Sequence, residues 1–281
     1  MATMTEAALR WLGARASYLS PPGLLAEALL LRGFHARVES ERLRVILDHP
    51  ADRAALAPFL ALAADGRVLR PAAPPALAAA DASGPGDGLD PRDPWHAAAR
   101  SVVALGDARS PMATTTEESW RQFRGRGRSS PPPVEGGGQS LDLGVALLVR
   151  ALCLLDCKAV QSCAGHGPGE GRDVVSDAVI EFASPWDAIL GSTLVDMGAG
   201  GSPREWRWTW RTLTVPHGAG RDAGALARSL GELQRVAQAL LEHPRFGLLR
   251  RARVRALAEH GSAAPNAEAF RAALRRRMTP E

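Results

Sequence analysis

Lys158-Ala-Val-Gln-Ser-Cys163-Ala-Gly-His166-Gly-Pro-Gly-Glu-Gly171-Arg-Asp173-Val-Val-Ser-Asp177-Ala-Val-Ile-Glu-Phe182 is the most informative stretch of this 281-residue chain. Residues 158–163 and 177–182 are short β-prone runs. Between them, the glycines at 165, 167, 169 and 171 break regular structure and permit positive φ and close approach of a ligand to the backbone. The segment reads as strand, glycine-rich loop, strand. A cysteine closes the first strand, and a histidine follows three residues later inside the loop.

Upstream, Leu141 to Leu155 predicts an apolar helix, interrupted by Arg150 and too short to span a bilayer. Downstream, Ser184-Pro-Trp-Asp starts a helix, with Ser as N-cap, Pro at the first position and Asp at the third, running to about Leu194. Arg204 to Val215 alternates as a strand, a helix covers about Asp222 to Leu241, and Arg-rich helices near 245–260 and 266–277 close the chain.

The N-terminal part offers a similar succession. A helix over 5–17 precedes a second that begins at Pro21, buries Leu24, Leu25, Ala28, Leu29 and Leu31, and stops at Gly33. Phe34-His-Ala-Arg-Val-Glu and Leu43-Arg-Val-Ile-Leu form a hairpin by pattern. Pro50 opens a helix to about Ala64, and Arg67-Val-Leu-Arg supplies a third strand. Both parts thus read α-β-β-α-β. Ala36-Arg-Val-Glu-Ser aligns with Ala159-Val-Gln-Ser, and Val45-Ile-Leu-Asp-His-Pro with Val179-Ile-Glu-Phe-Ala-Ser-Pro. The alignment is short and its residues are common, so internal duplication and coincidence both account for it. The expected fold is α+β: two αββαβ units with mixed or antiparallel sheets and a helical C-terminal tail. The boundaries are 1–70 for the first unit, 71–139 for a low-complexity linker with one helix near 95–105, and 140–281 for the second unit.

Composition narrows the function classes. Lys158 is the only lysine, and the other basic residues are arginines in a chain rich in Ala, Gly and Pro, which points to coding bias. With 34 basic against 30 acidic residues the global field is weak, so nucleic acid is a possible but not a favoured partner. Arg124-Gly-Arg-Gly-Arg, the arginines at 250, 251, 253 and 255, and Arg275-Arg-Arg read more readily as solvated surface. Three cysteines within eleven residues are no disulfide framework, and the N-terminus lacks a basic then apolar leader, so the expected location is the cytoplasm, with no membrane partner.

Three chemistries suit the Cys163/His166 loop. Cys163 and His166 are metal ligands for zinc or iron, with Cys153 and Cys157 as further soft donors or remote acids and His217 completing the set. Alternatively Cys163 is a nucleophile served by His166 or His217, with Asp173 or Asp177 as orienting carboxylate. The glycine run also suits an anion cradle, although no P-loop Lys-Ser/Thr follows it. The bland alternative is a plain hairpin loop. In Trp206-Arg-Trp-Thr-Trp-Arg, alternation separates the indoles from Arg207 and Arg211, which are candidates to meet an anionic ligand, while the indoles serve chiefly as core volume. The leading expectation is a metal-binding or thiol-dependent site at Cys163/His166, with His217 and Asp173 as auxiliaries. The alternative is a non-enzymatic binding or scaffold protein that contacts a protein or nucleic-acid partner through its sheets and Arg-rich helices.

Overall fold

The computed structural model describes residues 4–47, 50–72, 88–104, 143–155, 157, 159–163, 177–182, 184–200, 203, 205–217, 223–244, 246–247 and 267–278. After helix α1 (Met4–Ala16), Ser20 caps α2 (Pro21–Leu31) by accepting the Gly23 N–H, and proline follows at the first helical position, where no N–H is missed. Leu24, Leu25, Ala26 and Ala28 to Leu31 are all buried, so this helix is apolar on every side and runs through the centre of the fold. Strands β1 (Ala36–Glu39) and β2 (Arg42–Val45) form an antiparallel hairpin closed by Ser40 and Glu41 at φ 48° and 65°. Two consecutive positive φ values describe the turn whose twist matches a tight hairpin. Helix α3 (Pro50–Leu56), the hairpin of β3 (Leu60–Leu62) and β4 (Val68–Pro71), and α4 (Pro94–Ala104) follow.

In the C-terminal part, α5 (Ala146–Leu154) is the second all-round buried helix. It leads into β5 (Ala159–Cys163), β6 (Ala178–Phe182), α6 (Pro185–Gly198), β7 (Arg207–Trp208), β8 (Thr212–Val215) and α7 (Ala223–Leu241), with α8 (Ala267–Met278) last. The sheet order is β5-β6-β8-β7, every pair antiparallel. In the N-terminal part β1-β2 and β4-β3 meet through the antiparallel bridge Arg44↔Arg67 and the hydrogen bond from the Val45 N–H to the Gly66 carbonyl (2.9 Å), which gives the same strand sequence across the sheet. Each part therefore runs αββαββα, and the two flanking helices pack together in both cases, α2 on α4 and α5 on α7.

One continuous apolar core includes residues of both parts. Polar groups fix the junction. Arg150, which interrupts the apolar helix, is itself buried. Its guanidinium reaches both carboxylate oxygens of Asp52 (3.2 and 2.5 Å) and the Gly33 carbonyl (3.3 Å). The Gly144 N–H donates to Leu31 (2.9 Å), and Gln234 Nε2 donates to the Glu27 carbonyl (3.0 Å). The helix placed in the linker belongs to this core. Val102 and Val103 are buried, and Arg32, fully buried, donates to both their carbonyls at the C-terminal end of α4.

The α+β class and the antiparallel sheets agree with the sequence reading, but each unit has a fourth strand. The helix from Pro50 ends at Leu56 because Pro58 lies just beyond it, and Arg53 then donates to the carbonyls of Leu62, Ala63 and Ala64, so residues 60–62 extend as β3. The run Arg204 to Val215 folds back on itself: the Thr209 N–H bonds the Thr212 carbonyl (2.8 Å), which divides it into β7 and β8. The apolar helix starts later than Leu141 because Gly144 has φ 96°. Helix α6 extends past Leu194 to Gly198. Most of the helix placed at 245–260, and the low-complexity stretches 73–87 and 105–142, lie outside the described residues.

Candidate functional site

The antiparallel register places the chemistry of the C-terminal sheet at one end. Cys163 pairs with Val179, Val179 with Thr214, and Thr214 with Arg207, a single row across four strands. The next row is Ser162, Ile180, Leu213 and Trp208. Ile180 and Leu213 are buried, so that second row faces the helices. Alternation sends the Cys163 row to the outer face, where Cys163, Val179 and Thr214 are half-buried and Arg207 is exposed.

Asp177, two residues before Val179, shares that face and is the diagonal cross-strand neighbour of Cys163, a relation that sets side chains about 7–8 Å apart. Its carboxylate accepts from Arg207 Nη2 at 2.7 Å and from the His217 backbone N–H at 3.4 Å. Arg207 thus reaches from β7 across β8 to the start of β6. With side-chain exposures of 64% and 35% this ion pair is solvent-screened, contributing about 0–1 kcal/mol to stability, so its geometry matters more than its energy.

Among the candidates from sequence, Cys163, Arg207 and Asp177 come together. His217 does not join Cys163. It is 3% exposed, below the outer face, and the Ser229 hydroxyl holds the preceding Pro216 carbonyl at 3.1 Å. Two inter-strand steps, about 9–10 Å, separate β5 from β8, beyond thiol–imidazole hydrogen-bond reach. Arg211 lies at the other end of the sheet, where Nε donates to the Phe182 carbonyl (3.1 Å) and Nη2 pairs with Glu181 (3.4 Å). His166 and Asp173 lie outside the described residues.

All three cysteines are thiols. Cys157 is buried before the start of β5 and Cys163 ends it; four strand steps alone span about 13 Å, so no single metal with bonds near 2.3 Å takes both sulfurs. Cys153 is a half-buried residue of α5 packed against the core. Among the described residues no group of three His, Cys, Asp or Glu is arranged to hold a metal ion. Two of the indoles are structural. Trp206 is buried with Nε1 donating to Glu232 (3.3 Å), and Trp208 stacks on Phe182 with ring centroids 5.8 Å apart. Trp210 falls in the β7–β8 turn and is 70% exposed.

Thr214 and Val179 complete the outer-face row and were not singled out from sequence; the period-two alternation of Thr212-Leu-Thr-Val carried the signal for Thr214. No helix among the described residues is long and apolar enough to cross a membrane. Comparison of the chain with protein-family models, curated proteins and solved structures gave no match in any of the three.

Proposed function

We propose that the protein acts through the thiol of Cys163 at the loop end of the C-terminal sheet, with His166 as its proton partner and Asp177–Arg207 as the charged pair that positions a polar ligand. The observation that carries the reading is the register: Cys163 and Arg207 share one outer-face row, and Asp177 lies diagonal to the thiol while bonded to that arginine. A thiol at a strand end is held in direction by its backbone pairing, and chain connectivity keeps His166 three residues away. Half-burial leaves the sulfur accessible, whereas Cys157 is closed off. The reading includes duplication. The shared αββαββα order, the shared strand sequence and the Ser-Pro helix starts at Ser20 and Ser184 support two copies of one unit, of which the second acquired the loop. A reducing compartment such as the cytoplasm suits a working thiol.

The test is the alkylation rate of Cys163 against pH, read by peptide mass spectrometry in wild type, His166→Ala and Asp177→Asn, with circular dichroism as the folding control. The expected result is a thiol that reacts as if its pKa lay below the ordinary value of about 8.5, an advantage lost in His166→Ala. An ordinary rate profile, unchanged by either substitution, removes the reading. Metal content measured on the same samples separates the other chemistry: near-stoichiometric zinc or iron, lost in both Cys163→Ser and His166→Ala, makes these two residues metal ligands instead.

A further inference from the structure

The outer face of the N-terminal sheet carries a second, independent feature. Arg37 pairs with Arg44, and Arg44 bridges to Arg67, so three arginines stand side by side across three strands. Two inter-strand steps make this row about 10 Å long. Like charges directly opposite one another destabilise a sheet. Here they are only partly offset: Glu39 is shared by Arg37 (2.5 Å) and Arg44 (3.5 Å), and Asp65 takes Arg67 (2.7 Å). The three guanidiniums remain 38–50% exposed, and Arg42, opposite Glu39 on the same face, is exposed as well. The face therefore sets four guanidiniums against two carboxylates. The corresponding face of the C-terminal sheet is balanced, Arg207 with Asp177 and Arg211 with Glu181.

We infer that the Arg37–Arg44–Arg67 row is a docking surface for the phosphodiester backbone of a nucleic acid, read without regard to sequence. Charge complementarity carries the choice of partner. A backbone-paired sheet holds the cations at fixed spacing, which suits phosphates fixed along a polymer. Planar guanidinium forks match phosphate oxygens, and a bound phosphate relieves the repulsion that the row otherwise retains. No aromatic side chain stands in the row to stack a base, so contacts are to phosphates and carry no sequence information.

The test measures fluorescence anisotropy of the full-length protein with a labelled mixed-sequence DNA duplex of about 20 base pairs as a function of salt. Three phosphate contacts predict a log–log slope of about −2.7, so a fourfold rise in salt weakens binding about 40-fold. Arg37→Gln/Arg44→Gln/Arg67→Gln is expected to remove that dependence. Arg10→Gln/Arg275→Gln/Arg276→Gln removes the same charge from exposed positions elsewhere and is expected to retain it. Glu39→Gln frees two arginines without removing any and is expected to tighten binding, which keeps the test open should the triple variant fold poorly. Absence of duplex binding at low salt overturns the inference. So does equal loss in the two triple variants, or binding to phosphatidylserine vesicles alone.

Discussion

In the N-terminal unit β1 and β2 are closed by Ser40 and Glu41; in the C-terminal unit the corresponding β5 and β6 are joined by residues 164–177. The helices, the strand order and the antiparallel pairing match, so the difference lies at the hairpin end and on the outer face. A two-residue turn leaves no room for chemistry, and the sheet behind it is covered by arginines. The long connection brings a thiol, a carboxylate and a guanidinium to one edge. The comparison teaches that burial fixes the inner faces, through Leu43 and Val45 in one sheet and Ile180 and Leu213 in the other, while the outer faces are free to diverge.

The sharpest way to break the comparison uses a residue that both units share. Asp52 and Asp187 each occupy the third position after the proline that opens α3 and α6, and both are buried. Asp52 neutralises buried Arg150, whereas Asp187 accepts the Ser184 hydroxyl at 2.5 Å and gives its N–H to Ser184 (3.3 Å). Asp52→Ala strands a buried cation and is expected to cost about 3–5 kcal/mol. Asp187→Ala loses cap and helix-dipole interactions worth about 1–2 kcal/mol. Urea denaturation measures both. Equal losses would show that the ion pair joining the two units is not the stronger of the two arrangements.

Within the C-terminal sheet, Trp208→Ala is expected to cost about 3 kcal/mol, because its ring stacks on Phe182 and abuts Gly191. Trp210→Ala should stay within about 0.5 kcal/mol, since that indole is 70% exposed in the turn. A large loss from Trp210 would mean that the alternation runs through a single strand after all.

These pairs show what was legible. Ser-Pro helix starts, the all-apolar α2 and α5 and the two first hairpins follow from local rules that tertiary packing then reinforces. The extra strands were not legible. Trp206-Arg-Trp-Thr-Trp-Arg alternates whether or not the chain turns at Thr209, and periodicity carries no information about where a strand reverses. The buried Arg150 was visible only as an interruption, because its partner Asp52 is distant in sequence. Cys163 and Arg207 were both legible as candidates, but their common row depends on the register of three strand pairs, which is set by the inner-face residues rather than by the site.

A pH measurement sharpens the N-terminal side. Burial pushes the Glu27 carboxyl above its ordinary value of 4.5, and the Arg15 guanidinium at 3.2 Å only partly offsets this. The folded state therefore holds this proton more tightly than the unfolded chain, and stability falls as pH rises through the window that begins near 4.5. Glu27→Gln is expected to flatten that part of the stability–pH profile, measured by urea midpoints. A wild-type contribution that rises with pH in the same window would reverse the assignment.

The smallest effect addresses the turn that distinguishes the units. Ser40 and Glu41 both occupy left-handed backbone, which costs L residues other than glycine and, to a lesser extent, asparagine. Ser40→Asn with Glu41→Gly supplies the residue types that such a turn favours and is expected to stabilise by about 0.5–1 kcal/mol, with β1 and β2 unchanged. Thermal denaturation reads the gain. The same dipeptide placed between shortened ends of β5 and β6, in place of residues 164–177, transplants one unit's closure onto the other. If the inner faces alone set the register, this variant folds with Val179 still opposite Thr214, and Cys163 alkylates as an ordinary thiol. If it fails to fold, the connection contributes to the sheet itself, and the two units differ in more than their outer faces.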